Sequence, residues 1–264
     1  MAGLELIDAP GLRDAGLAAA FTTRTGGASE GPYASLNLTW SRGDDKAAVA
    51  ENRRRVSERL GGLRLVFANQ VHGTAVLRAE DAAEGEWSAG EGDALMTDRP
   101  GLALCAQTAD CVPILLFDPR RPAIAAIHSG WRGTLAGIGQ ATLDAMAQAY
   151  GTRPADVKAA IGPSISKARY RVGPEVIEPF EGKFGSDAAL MGPKDHEGGA
   201  GLDVAEACRR SLVMAGVPAS AISRVPGCTF TDEAHFFSSR RAARDGHPGL
   251  FGGQCGIIAL KKRR

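Results

Sequence analysis

The sequence predicts one domain, 1–264, of mixed helices and strands. Short apolar runs at 94–96, 102–106, 112–117 and 122–127 are separated by Gly, Pro and Asp, which suits strands buried on both faces. Segments of helical period lie around them, as at 133–150, where Leu135, Ile138, Leu143, Met146 and Ala147 recur at near-helical spacing. Hydrophobic residues make up 44% and charged residues 23% of 264 residues, ample material for a core. No fixed-period repeat and no linker divides the chain.

In chain order, 17–22 and 33–40 read as strands around the turn Thr23-Arg24-Thr25-Gly26-Gly27. A polar helix is expected over 45–60, capped by Asp44 or Asp45 and stopped by Gly61-Gly62, with Arg53-Arg54-Arg55 on a solvated face. Leu63, Leu65 and Phe67 alternate with Arg64, Val66 and Ala68, a strand that runs into Gln70-Val71-His72-Gly73. Residues 80–92 read as a charged loop before the apolar runs. One helix is expected over 133–150, with Thr134 as cap and Gly151 as stop. A strand at 157–161, helices at 174–184 and 202–215, a loop at 192–201 and short strands at 222–225 and 255–260 complete the chain.

A net charge of +1 provides no global field for nucleic acid or an anionic membrane, and the Lys261-Lys262-Arg263-Arg264 end reads as solvated. No run approaches the ~20 apolar residues of a membrane span. Residues 1–17 mix Asp, Glu, Pro and Arg with apolar residues, unlike a secretory leader, so a cytoplasmic protein is expected. Five cysteines without a CxxC pair read as free thiols in such a compartment. Monomer and homodimer are both open.

The chemistry concentrates in His72, Cys111 and His128, each at a break between an apolar run and a polar or glycine-bearing turn. Two imidazoles and a thiolate make an open zinc set with one position left for water, and copper is a second metal for such ligands. The same residues also suit a Cys111 nucleophile with a histidine base, and spacing does not separate the two readings. Asp110 is a candidate to orient an imidazole or act as general acid, with a turn residue as the alternative. Arg24, in a backbone-rich turn, and Arg132, ahead of a helix N-terminus, are candidates for an anionic ligand. His196, His235 and His247 are scattered, with no His-x-His pair for a copper cluster.

These words match a known family. Phe21-Thr22-Thr23-Arg24-Thr25-Gly26-Gly27, Gly31-Pro32-Tyr33-Ala34-Ser35-Leu36-Asn37-Leu38, Gln70-Val71-His72-Gly73, Thr108-Ala109-Asp110-Cys111, His128-Ser129-Gly130-Trp131-Arg132-Gly133, Ile161-Gly162-Pro163-Ser164-Ile165 and Phe236-Phe237-Ser238 closely resemble the bacterial YfiH/YlmD group. That group was formerly labelled multicopper polyphenol oxidase or laccase-like, and the resemblance runs in order over about 21–260. It implies a single α+β domain with a mixed β-sheet flanked by helices. It implies a purine nucleoside phosphorylase of broad scope, acting on adenosine, inosine, guanosine and methylthioadenosine with phosphate, with adenosine deamination besides. The family's zinc-binding and catalytic residues fall on His72, Cys111 and His128. Asn37 and Gln70, inside matching words, join Arg24 and Arg132 as candidates for holding nucleoside or phosphate. Some relatives look like editing factors that remove misincorporated serine from a peptidoglycan precursor, which would use Cys111 and a histidine as an amidase pair. Two positions depart from the pattern: Arg171 stands where many relatives carry an acid, and Gly253 where an arginine is common.

Overall fold

The structure is a computed structural model, and it describes residues 3–12, 16–79 and 88–261. Its strands form two six-stranded mixed sheets. The first runs in the order β1 (Leu6–Asp8), β2 (Leu17–Thr22), β14 (Gln254–Leu260), β7 (Leu102–Thr108), β3 (Arg64–Asn69) and β5 (Ser88–Glu91). The second runs β13 (Ile222–Arg224), β10 (Lys158–Ile161), β8 (Val112–Asp118), β9 (Ala123–Ser129), β6 (Ala94–Thr97) and β4 (Val76–Arg78). The pairs β3/β7, β3/β5, β4/β6 and β10/β13 are parallel and the other pairs antiparallel. A two-stranded ribbon, β11 (Arg171–Val172) with β12 (Ala200–Gly201), lies apart.

The alternation of side chains along each strand explains the layering. Leu115, Phe117, Ile124 and Ala126 of the second sheet share one apolar cluster with Phe21, Val66, Leu104 and Ile258 of the first, so the sheets pack face to face. Their neighbours Ile114, Leu116, Ala125 and Ile127 point the other way. They pack under α3 (Ile138–Tyr150), α4 (Pro174–Phe184) and α5 (Val204–Met214), through Leu143, Phe180 and Leu212. The outer face of the first sheet, through Leu65, Phe67, Cys105 and Ile257, is covered by Val56 of α1 (Lys46–Arg59) and by Leu36 and Leu38. The result is four layers, helix, sheet, sheet, helix. All seven residues of β8 and of β9 are buried, which is why their sequences read as unbroken apolar runs rather than alternating ones. Among the described residues no helix is long and apolar enough to cross a membrane.

Several expectations change locally. The side chain of Asp45 caps α1 by accepting the Ala47 N–H, and Gly61 and Gly62 end the helix with positive φ. Arg53, however, is 3% exposed. It shares the inward stripe of Val49 and Val56, while Arg54 and Arg55 turn outward onto Glu51 and Glu58. Residues 33–40 are not a strand; Gly31–Tyr33 is a 3-10 turn, and the following backbone is held by the Asn52 amide, which donates to the carbonyls of Ser35 and Asn37. The helix expected over 133–150 is two, α2 (Trp131–Ala136) and α3, broken at Gly137 with φ 93°. Thr134 lies inside α2, where its hydroxyl bonds back to the Gly130 carbonyl, and Gly130 is the cap residue. Of the loop expected over 80–92, residues 80–87 lie outside the described part and 88–91 are a strand. A sixth helix, α6 (Ser239–Arg244), follows the Phe236-Phe237 pair, capped by the Ser238 hydroxyl.

Candidate metal centre

His72 and Cys111 both lie where the chain crosses from the first sheet to the second, in the β3–β4 and β7–β8 connections. His128 is the penultimate residue of β9 and pairs across the ladder with Pro113, two residues from Cys111. The three side chains therefore meet at one open end of the sandwich, with their ligating atoms all within 4.8 Å of one another. The Cys111 Sγ lies 3.9 Å from His72 Nε2, and the two imidazoles meet edge to face with centroids 4.8 Å apart. Among the described residues this is the one such donor group.

Asp93, in the turn before β6, organises the centre, and sequence reading missed it. Its carboxylate accepts the backbone N–H groups of Val71 (3.2 Å), His72 (3.0 Å) and Gly73 (2.7 Å) and lies 2.8 Å from His128 Nδ1. These bonds hold His72 in the left-handed region at φ 63°, which a non-glycine residue adopts only when its surroundings impose it. With Nδ1 given to Asp93, Nε2 is the ligating atom that His128 turns toward Cys111. An Asp that opens a strand carries no outward mark in the sequence; its partners come from two other segments.

The charges are strongly coupled. Burial pushes the Cys111 thiol up, but the charge of His128 and hydrogen bonds from His128 and His72 outweigh it and bring it down to about 6. Burial likewise opposes the charge on His128, yet the Cys111 charge and the Asp93 bond raise it to about 9. Asp93, despite its burial, is held below the usual carboxylate range by the bonds from His128 and Gly73. Cys105 and Cys208 behave oppositely: buried in the core, their thiols are pushed up to about 12 and about 11. Gly130 supplies the remaining room, because a Cβ there would lie 3.0 Å from His72 Cδ2 and 3.1 Å from Cys111 Sγ.

The centre forms the end of a cleft of about 1050 Å³. Trp40, Phe67, Trp131, Tyr170 and Phe251 line its walls, and Gln70, Arg132 and Asp110 open onto it. Asp110 is a positioned residue: its two oxygens accept the Thr229 hydroxyl at 2.6 Å and the Arg240 N–H at 2.8 Å, so neither is turned to an imidazole. The Gln70 amide is locked onto the backbone of Gln107 by two 2.8 Å bonds. Arg24 and Asn37 are not brought to the cleft. Arg24 donates to the carbonyls of Ala34 and Glu233 and stacks on Phe237, while the fully buried Asn37 holds the backbone of Thr39 and Gly253 and the carboxylate of Asp44. Both fasten loops, which explains a demanding local sequence without a ligand. Arg42 and Arg53, unmarked as site residues by the sequence, do line the cleft. The two departures have separate accounts. Arg171 pairs with Asp195 and Glu197, and a Cβ at Gly253 would come 2.1 Å from Thr39 Oγ1, so a side chain there would require Thr39 to move.

The family model described as multi-copper polyphenol oxidoreductase laccase matches residues 18–261. The chain belongs to this family. Among its relatives, a purine nucleoside phosphorylase of Deinococcus radiodurans is 43% identical over 99% of this chain and 95% of its own. An adenosine deaminase from an unknown prokaryotic organism is 35% identical over 86% of this chain and 89% of its own. The crystal structure of YlmD from Geobacillus stearothermophilus superposes with a TM-score of 0.86 at 34% identity, covering 96% of this chain and 94% of that one. The mixed α and β architecture and the YfiH/YlmD likeness read from the sequence both hold.

Proposed function

We propose that this family member is a zinc-dependent purine nucleoside phosphorylase that cleaves adenosine, inosine, guanosine and methylthioadenosine with phosphate, and that the same centre deaminates adenosine. The observation that carries the reading is the His72, Cys111 and His128 donor set, open to a cleft with aromatic walls. The residues fit zinc: the thiol is already a thiolate near neutral pH, one imidazole is oriented through its far nitrogen, and a glycine keeps the space clear. Zinc held there would supply Lewis acidity toward an oxygen or nitrogen of the substrate.

The rest of the chemistry belongs to the chain's own groups. In phosphorolysis a phosphate oxygen forms the bond to C1′ as the C1′–N9 bond breaks, and its electron pair leaves with the purine, which takes up a proton. Aromatic walls such as Trp131 and Tyr170 suit the planar base, and the arginines of the lining suit the phosphate. In deamination water adds at C6 and ammonia leaves with the proton that the water loses.

A second reading rests on a specific arrangement. Cys111, His128 and Asp93 form a thiolate, imidazole and carboxylate in sequence, the geometry of a cysteine amidase. Copper oxidase chemistry has less support, since His235 pairs with Asp232, His196 with Glu197, and neither joins the centre.

The test measures bound metal by elemental analysis and follows adenosine and inosine, with and without phosphate, by chromatography. Zinc-loaded wild type is expected to yield adenine and hypoxanthine only with phosphate, and inosine from adenosine without it. His72→Ala, Cys111→Ala and His128→Ala are each expected to lose at least a hundredfold. Absence of all these products in the zinc-loaded wild type refutes the reading, and release of serine from a serine-bearing peptidoglycan precursor would favour the amidase.

A further inference from the structure

Two buried arginines of this chain are tied to backbone carbonyls. Arg53 gives Nε and Nη2 to the Leu38 carbonyl, and Arg241 donates to the carbonyls of Thr229, Phe230 and Phe236. Arg42 differs. It enters the cleft from the irregular stretch before α1, its guanidinium stacked 4.0 Å over the Phe251 ring, and its shielded Nε has no hydrogen-bond partner among the described residues. An unsatisfied buried donor on a charged group is costly, and the acidic side chain of this cleft, Asp110, is committed to Thr229 and Arg240.

The lining around Arg42 repeats the theme. Arg132 lies over the Trp131 ring at 4.3 Å and Arg240 over Tyr170 at 5.0 Å, so three guanidinium planes are each backed by an aromatic face, with one Arg240 N–H given to the Arg171 carbonyl. The cleft is lined by four arginines, Arg42, Arg53, Arg132 and Arg240, against one carboxylate. A second shielded polar atom without a partner, Thr108 Oγ1, also belongs to a lining residue. Burial lowers the Arg42 pKa, while the charges of Cys111, Asp110 and Tyr33 oppose that shift.

We propose that Arg42 anchors a tetrahedral phosphate dianion in this cleft, its N–H edge donating to the anion while Phe251 holds the plane. The assignment to inorganic phosphate as co-substrate rests on the phosphorolysis reading; the shared chemistry also fits the phosphate group of a nucleoside monophosphate. Arg24, which the sequence suggested for an anion, is already engaged by the Ala34 and Glu233 carbonyls outside the cleft, and Arg42 takes its place.

The experiment uses the zinc-loaded full chain and its Arg42→Gln and Arg42→Lys variants. Calorimetry with inorganic phosphate, and separately with adenosine 5′-monophosphate, reads the site without turnover. Initial rates then give KM for phosphate and for inosine. Arg42→Gln is expected to weaken phosphate binding and raise phosphate KM at least tenfold while inosine KM stays within about threefold. Arg42→Lys, which keeps charge but loses the planar fork, is expected to fall between, and it keeps the test valid if the glutamine variant misfolds by circular dichroism. Phosphate binding by Arg42→Gln equal to wild type, or an equal rise in both KM values, overturns the proposal. Arg42-dependent phosphate binding in a protein that shows no phosphorolysis supports the anion site and refutes the reaction. Arg42-dependent binding of the monophosphate alone supports the site and reassigns its anion to a nucleotide.

Discussion

Replacing Asp93 with Asn tests the account of the metal centre most directly. Each carboxylate oxygen accepts two bonds: Oδ1 from the His72 N–H and from His128 Nδ1, Oδ2 from the N–H groups of Val71 and Gly73. An amide keeps one accepting oxygen and turns its NH2 against the other two donors. With about 1–3 kcal/mol for each buried donor left unsatisfied, the cost is roughly 2–6 kcal/mol, and Tm is expected to fall by roughly 5–20 °C. His72 loses the bonds that hold it at φ 63°, and His128 loses the carboxylate that orients it, so zinc affinity is expected to drop about 10- to 100-fold. Urea denaturation of the metal-free protein and zinc titration against a competing chelator read the two effects separately. A variant that loses under about 1 kcal/mol and binds zinc within twofold of wild type would refute the organising role of Asp93.

Three further outcomes are expected. Gly130→Ala has an ordinary backbone to occupy, at φ −78°, but its Cβ crowds His72 and Cys111, so zinc affinity should fall at least tenfold while unfolding free energy changes by less than about 1 kcal/mol. Zinc requires Cys111 as thiolate and His128 neutral; with these groups at about 6 and about 9, binding should release one proton between those pH values and two below the lower. Affinity should therefore weaken about tenfold per pH unit as pH falls across that window, checked by calorimetry in buffers of different ionisation enthalpy. Gly137→Ala, whose Cβ would meet Lys183 Nζ at an ordinary 3.7 Å but which sits at φ 93° between α2 and α3, should cost about 1–2 kcal/mol in urea denaturation without changing zinc affinity.

Much of the fold is legible because burial on both faces writes itself into composition. Residues 112–117 and 123–127 are apolar throughout since their side chains meet either the other sheet or a helix layer. The helix at 174–184 is marked by Pro174 at its start and Gly185 at its end, and the structure places it at those bounds. His72, Cys111 and His128 were legible too, since each sits in a short word with glycine or a turn residue beside it.

What the tertiary structure decided is which groups meet. The sequence contains the apolar runs but does not say that they divide into two sheets, because sheet membership depends on pairing between distant segments such as β2 with β14. Three adjacent arginines look alike, yet the helical rotation buries Arg53 and leaves Arg54 in solvent. Arg24 and Arg42 differ in the opposite sense from their sequence context: neighbouring carbonyls engage the first, and among the described residues the Nε of the second has no partner. Asp93 shows the reason most plainly. Its importance lies in four donors from two other segments converging on one carboxylate, and convergence in space has no period, spacing or composition by which a linear sequence could display it.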